Sequence, residues 1–339
     1  MTLLPLPTQP TNQSWPTDTW PLRQPDVADL GALDTAVAEL FDAGRPELGR
    51  TDALVVVQAG AIVAERYGAE VSAESTLPSW SMAKSMTAVL GAIAGVDWSG
   101  TVDAPEWVDE RSVITAGHLL TMTSGLEWSE IYEVDQPSDV VTMLFGDARA
   151  DAAHYAADKP LTSAPGSTYQ YSSGTSNVLA RHIATKLGLG HNSAGFEHYM
   201  RTKLFEPIGM NSPAPRFDDA GTFIGSSFCD CTARDFARFG LLCLRDGVWE
   251  GDRIIPEGAI DRFRTATEVS RGIDDFVHGA HFWVHEDGLG TFACHGFEGQ
   301  YIWMVPAADL VLVRSGVRPE QDKATLVEAL RDIVREFAR

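Results

Sequence analysis

No stretch of this sequence stays apolar for the roughly 18 residues that a membrane helix requires, so no span and no membrane partner are expected. The first 26 residues lack a positive segment followed by an apolar run, so a secretory signal is not expected and the cytoplasm follows by default. Cysteine is scarce. Cys229, Cys231, Cys243 and Cys294 are too few for a disulfide framework in a chain of 339 residues. The close pair Cys229 and Cys231 has no second pair and no histidine at ligand spacing, so no metal is expected. Basic residues are also in deficit, 26 Lys and Arg against 47 Asp and Glu, for a net charge of −21. That balance excludes the basic footprint of a nucleic-acid partner. No long acidic block accompanies it, so the acidity reads as a solvated surface. Neither G-x-x-x-x-G-K-[ST] nor G-x-G-x-x-G occurs, which leaves nucleotide binding without a motif, and no cofactor is expected.

What is present divides by position. Residues 1–26 are rich in Pro and Thr and read as an extended arm pinned by Trp15 and Trp20. Helical spacing of Leu30, Leu33, Val37, Leu40 and Phe41 predicts an amphipathic helix over 27–43. Two β-branched runs around Gln58-Ala59-Gly60, within 53–67, predict an antiparallel hairpin. Strand signals then nearly vanish until about residue 222, and short helices are predicted, one ending at Gly125 and one starting at Ser138. Further on come a helix over 233–244, strands at 292–295, 301–305 and 310–315, and a closing amphipathic helix over 324–338. The expected fold class is α/β of the α+β kind. One antiparallel sheet flanked by helices is built from 27–98 and 223–339, with 99–222 inserted as a helical lobe.

The chemistry centres on Ser79-Trp-Ser81-Met-Ala-Lys84-Ser85, which opens a run of small apolar residues. Three residues apart on a helix start, Ser81 and Lys84 share a face. The helix N-terminus offers free N–H groups and a positive dipole end. A lysine buried one turn along loses stability as an ammonium and becomes able to accept a proton. The bland alternative is a capping serine on a solvated helix. A second constellation is Pro165-Gly-Ser-Thr-Tyr-Gln-Tyr171-Ser-Ser173, in which Tyr171 beside a cationic lysine is expected to shift toward phenolate and act as base and acid. A third is Cys294-His295-Gly296-Phe297-Glu-Gly-Gln300, a glycine-rich bend on a strand that can offer a backbone N–H to an oxyanion. The ordinary readings are a packed loop tyrosine and a β-bulge.

Taken together and in this order, these three elements resemble the serine β-lactamase and penicillin-recognising superfamily. With His118-Leu-Leu-Thr-Met-Thr-Ser-Gly-Leu126 and Gly225-Ser-Ser-Phe-Cys-Asp-Cys231, the wording resembles the branch of 6-aminohexanoate-dimer hydrolases, near class C β-lactamases and β-lactamase-like esterases. The resemblance implies a β-lactamase/transpeptidase-like fold. It implies Ser81 as nucleophile, Lys84 as its activator and Tyr171 as the proton relay to the leaving group. The backbone N–H groups of Ser81 and Phe297 would form the oxyanion hole, with Ser173 and Gly296 facing the substrate and His295 either a substrate-facing donor or a structural histidine. The chain departs from the β-lactamase pattern at two points. Cys294-His295-Gly296 stands where Lys-Thr-Gly or His-Thr-Gly is usual, and Ser173 where class C enzymes have Asn. Both changes favour small esters or linear amides as the partner molecule over β-lactams. A β-lactamase or D-alanyl-D-alanine carboxypeptidase is the alternative among enzymes. A catalytically inactive binding protein of the same fold is the alternative outside them, though it would be expected to have lost one of Ser81, Lys84 and Tyr171. The acidic loop over 127–139 and Trp128 are expected to border the pocket, and the sequence leaves the oligomeric state open.

Overall fold

The computed structural model describes residues 3–132, 136–318 and 323–338. After the arm, helix α1 (Leu30–Glu39) starts where the Asp29 side chain accepts a hydrogen bond from the Ala32 N–H. That cap makes it shorter than the hydrophobic spacing predicts. Strands β1 (Arg50–Gln58) and β2 (Ala61–Tyr67) follow. They are joined through Ala59 and Gly60, both at positive φ, as a tight two-residue hairpin requires. Then come α2 (Met82–Ile93), α3 (Ala116–Leu120), α4 (Asp139–Phe145), α5 (Ala152–Ala157), α6 (Ser173–Lys186), α7 (Ser193–Met200), α8 (Ala233–Leu244) and α9 (Ala259–Phe263). The C-terminal part carries β3 (Val277–His278), β4 (Trp283–Val284), β5 (Phe292–Gly296), β6 (Gln300–Val305), β7 (Leu310–Val317) and α10 (Lys323–Phe337).

The two ends of the chain meet in one seven-stranded antiparallel sheet of order β2-β1-β7-β6-β5-β4-β3. The edge strand β3 and its neighbour β4 have two residues each, too short to leave a periodic signal in the sequence. Period-2 alternation sends side chains to both faces. Leu54, Val56, Trp303, Val305, Leu310 and Leu312 pack with Leu33 of α1, with Leu40 at its C-terminal cap, and with Leu326, Leu330 and Ile333 of α10. Ala53, Val55, Val57, Ile302, Met304, Val311 and Val313 belong to the larger core that includes α2 and α8. Each fully buried aliphatic side chain contributes on the order of 1.5–3 kcal/mol.

Because both faces are covered, α2 lies inside the molecule, with Met82 through Gly91 all buried. A helix apolar on nearly every side is what such a position demands. The arm is held by Trp15, whose ring lies 4.9 Å from that of Trp249, and by Trp20, buried beneath the Arg238 guanidinium.

Buried in the middle of β7 is Arg314. Its guanidinium donates to the carbonyls of Glu298 (3.1 Å), Gly299 (2.9 Å) and Arg50 (2.8 Å) and to Thr51 Oγ1 (3.2 Å). Burial lowers its affinity for a proton, to a pKa of about 10. The cation ties the bend between β5 and β6, where Glu298 and Gly299 take positive φ, to the centre of the sheet.

Helix α8 sits on the sheet through Gly240. A Cβ there would come within 2.7 Å of both Ile302 Cγ2 and Val311 Cγ1. Gly240→Val is therefore expected to lift α8 and to destabilise the protein by about 1–3 kcal/mol, the usual cost of overpacking. Urea denaturation checks this, and an unchanged midpoint would mean that the helix–sheet contact yields freely.

Candidate active site

Ser81 begins α2 but does not cap it. Its backbone is helical and its side chain makes no capping hydrogen bond, so its hydroxyl is left for other work. Ser79, two residues earlier, anchors the turn. Its Oγ donates to the Ser227 carbonyl (3.1 Å) and accepts from the Cys229 N–H (2.9 Å). Between them Trp80 is held at φ +42°. A bulky residue in that region carries strain on the order of 1–3 kcal/mol. Its ring is surrounded by Phe145, Phe228 and Phe297, with centroids 5.8–6.5 Å away.

One turn along, Lys84 is 2% exposed. Its Nζ donates to Ser81 Oγ, Ser173 Oγ and the Ser226 carbonyl, each at 2.9 Å. Three acceptors match the three donors of an ammonium. Burial pulls its pKa down from 10.5 to about 8, and the carboxylate of Glu130 pulls the other way. The stretch at 225–231, singled out in the sequence without a role, supplies the third acceptor.

Tyr171 stands over the lysine, with Nζ 4.8 Å from its ring centroid. The ring stacks on Trp283 (5.6 Å, 23°) and meets His278 edge-on (6.2 Å). A shift toward phenolate was expected here, and the structure gives the opposite. Burial, then the charges of Glu130 and Asp274, push the phenol well above its ordinary value, and only its hydrogen bond with Ser81 acts the other way. Removal from water and two carboxylates outweigh one hydrogen bond. Tyr171 is therefore a neutral phenol.

Ser173 does not face substrate. It is fully buried on the first turn of α6, where its Oγ accepts from Lys84 and donates to Glu130 Oε1 (2.5 Å). Glu130 carried no role in the sequence reading. Of the loop over 127–139, residues 133–135 lie outside the described residues. Trp128 is buried instead of bordering the pocket, and its Nε1 donates to Glu130 Oε2 (2.5 Å).

Ser81, Tyr171, His295, Gly296 and Phe297 line one cavity of about 880 Å³, together with Tyr132, Trp283, Asp274, Asp275, Arg318, Lys323 and Arg331. Tyr132 stacks on Phe297 at 4.7 Å. A Cβ on Gly296 would sit 2.5 Å from the Ser79 carbonyl, so glycine is what lets β5 come against the turn at 79–81. His295 lies in the wall with its Nε2 3.1 Å from His285 Nε2, so that nitrogen is engaged within the protein. Among the described residues no cluster could hold a metal ion, and no helix is long and apolar enough to cross a membrane.

The model of the β-lactamase family matches residues 45–333. The chain belongs to the β-lactamase family. It is a hydrolase of that family, and its relatives narrow the branch. A 6-aminohexanoate-dimer hydrolase of Paenarthrobacter ureafaciens is 27% identical over 322 residues, covering 87% of this chain and 79% of that protein. A solved structure from Bacillus anthracis, provisionally named as a 6-aminohexanoate-dimer hydrolase, superposes with a TM-score of 0.77 at 20% identity. It covers 99% of this chain and 90% of the other. The hydrolase EstCE1, described as having promiscuous acyltransferase activity, superposes at 0.65 with 15% identity, over 89% of this chain and 97% of the other. At these identities the superpositions show the fold alone.

A buried histidine cluster backs the site of this β-lactamase-family chain. Burial pushes His278 and His285 from 6.5 down to about 3, and holds His281 and His295 well below their ordinary value. All four are neutral in the fold and regain ordinary basicity when it opens. The unfolded chain thus binds more protons below pH 6.5, and stability falls as pH drops from about 6.5 toward 3. The slope approaches about 1.4 kcal/mol per pH unit for each histidine. Urea midpoints measured at pH 7, 6 and 5 should fall in that order, before most carboxylates titrate. Equal midpoints would refute neutral burial of the cluster.

Proposed function

We propose that the protein is a serine hydrolase that cleaves linear amides or esters through an acyl-enzyme, of the 6-aminohexanoate-dimer hydrolase type. The observation that carries this reading is the 2.9 Å contact between Lys84 Nζ and Ser81 Oγ in a dry environment that pulls the lysine down to about 8. Once neutral, Lys84 accepts the Ser81 proton as Oγ attacks the carbonyl carbon. The developing oxyanion is received by the backbone N–H groups of Ser81 and Phe297, at the positive end of α2. The bond to the leaving group then breaks. Its nitrogen or oxygen takes the Tyr171 proton, and the Lys84 ammonium beneath the ring returns one to the phenolate. Water attacks the acyl-enzyme along the same path and restores Ser81.

The cavity supports a linear substrate with charges of both signs. Asp274 and Asp275 line it, as do Arg318, Lys323 and Arg331. The aromatic wall of Tyr132, Phe297, Trp283 and Phe276 suits a methylene chain between charged ends. On the motif that carries Lys-Thr-Gly in β-lactamases, this chain offers no cation at neutral pH. Cys294 is a buried thiol pushed up to about 12, and His295 is neutral. A β-lactam carboxylate would find no charged partner there.

Ser81→Ala is expected to abolish both labelling by a fluorophosphonate and hydrolysis of p-nitrophenyl esters. Lys84→Ala and Tyr171→Phe should each cost several orders of magnitude without adding, because the three act as a unit. Unchanged ester turnover in Ser81→Ala would overturn the reading. Turnover of the linear 6-aminohexanoate dimer should exceed that of nitrocefin, and the reverse order would make the protein a β-lactamase.

The pH dependence follows from Lys84. The base works only when neutral, so kcat/KM for an ester should rise with pH through a midpoint near 8 and then level off. A rate that keeps climbing to pH 10.5, the ordinary lysine value, would mean that Lys84 is not the activating base.

A further inference from the structure

Ser173 stands between Lys84 and a carboxylate that no motif predicts. Glu130 Oε1 accepts from Ser173 Oγ (2.5 Å) and from Tyr132 OH (3.0 Å). Its Oε2 accepts from the Ser173 backbone N–H (2.8 Å) and from Trp128 Nε1 (2.5 Å). Both oxygens only accept, which is the behaviour of an ionised carboxylate. The carboxylate also sits at the positive end of α6, a helix of 14 residues, where a negative charge is favoured. The Ser173 hydroxyl has one proton. It gives that proton to Glu130, so its lone pairs are turned toward the Lys84 ammonium.

We infer that Glu130, acting through Ser173, is a positioning residue that holds Lys84 in place as an ammonium in the resting site and so sets the pH at which Ser81 becomes a nucleophile. The inference rests on Lys84 being the base that activates Ser81.

The surroundings of Lys84 leave this role to Glu130. From the segment before α6, Tyr171 faces the lysine as a neutral phenol. Tyr132, on the loop with Glu130, is likewise held neutral by burial. From β3 and the turn after it, His278 and His281 face the lysine, and burial keeps both uncharged. The Ser226 carbonyl and Ser81 hydroxyl contribute dipoles only. Glu130 is the one opposite charge that acts on Lys84 among these groups. It opposes the burial that would otherwise strip the lysine of its proton at a lower pH. Gly174 protects the arrangement. A Cβ there would lie 2.6 Å from the Trp128 ring, so glycine lets Trp128 reach Glu130.

The test reads Lys84 directly. The protein carrying ¹³Cε-labelled lysine is titrated by NMR, with the Lys84 signal assigned by its loss in Lys84→Arg, and ester kcat/KM is followed over the same pH range. In Glu130→Gln the Lys84 midpoint is expected to fall by about one pH unit or more, the scale of removing an adjacent opposite charge. The acid limb of the rate profile should move with it. Ser173→Ala should lower the midpoint by less, because it removes one acceptor and keeps the charge, and it decides the question if Glu130→Gln does not fold. Glu130→Asp should restore the wild-type midpoint. A folded Glu130→Gln or Ser173→Ala whose Lys84 midpoint is unmoved or raised overturns the inference. Loss of the hydrolase reading would show differently, as a wild-type protein without ester turnover whose Lys84 still responds to Glu130.

Discussion

An ammonium group kept out of water is the constraint on which this site depends. Lys84 is 2% exposed, and its displacement from 10.5 to about 8 corresponds to a penalty on the order of 3 kcal/mol for carrying its charge. A fully buried lysine with no acceptors would lose its proton altogether, and one on the surface would never give it up at neutral pH. The three oxygens at 2.9 Å and the carboxylate behind them hold it between those limits. That intermediate state is the useful one for a base, because catalysis is most effective when the pKa lies near the working pH.

The fold exists around that group in a specific sense. No single element could supply its partners. Ser81 comes from α2, Ser173 from α6, Ser226 from the segment before α8, and Glu130 from the loop after α3. The sheet brings the fourth side. Arg314 ties the two carbonyls of the bend at 298–299 to the Arg50 carbonyl of β1, and the absence of a side chain on Gly296 lets β5 reach the turn at 79–81. The strain at Trp80 is sustained because neighbours hold it on both sides, Ser79 by two hydrogen bonds and the Trp80 ring by three phenylalanines.

What was legible in the sequence was whatever is local or periodic. The hairpin at 50–67, the helix at 233–244 and the C-terminal strands follow from alternation and turn residues. Ser81 and Lys84 follow from a helix spacing of three. The last two strands at that end of the sheet, 277–278 and 283–284, are too short to show a period. Glu130 was hidden for another reason. A glutamate in an acidic loop looks solvated, and only the fold brings the N-terminus of α6 and the Ser173 hydroxyl to it. Ser173 was read as substrate-facing because it was judged by motif alone. Its burial is a tertiary fact. Arg314 was read as one more residue of a strand, and nothing in its neighbours announces that its guanidinium crosses to the active-site bend.

The reversal at Tyr171 carries the last step of the argument. If lysine and tyrosine both moved toward neutral pH, they would compete for one role and share one coupled titration. Here they move apart. Lys84 is lowered by burial, and Tyr171 is raised by burial and by the charges of Glu130 and Asp274. The same desolvation acts with opposite sign on a cation and on an incipient anion. In the proposed mechanism, two groups in one dry pocket are thereby sorted into a base and an acid without any further device. The carboxylate that keeps the lysine protonated at rest also keeps the phenol protonated. In the proposed mechanism Glu130 thus keeps on Tyr171 the proton that the leaving group needs, and sets the pH at which Lys84 loses the one that blocks it as a base.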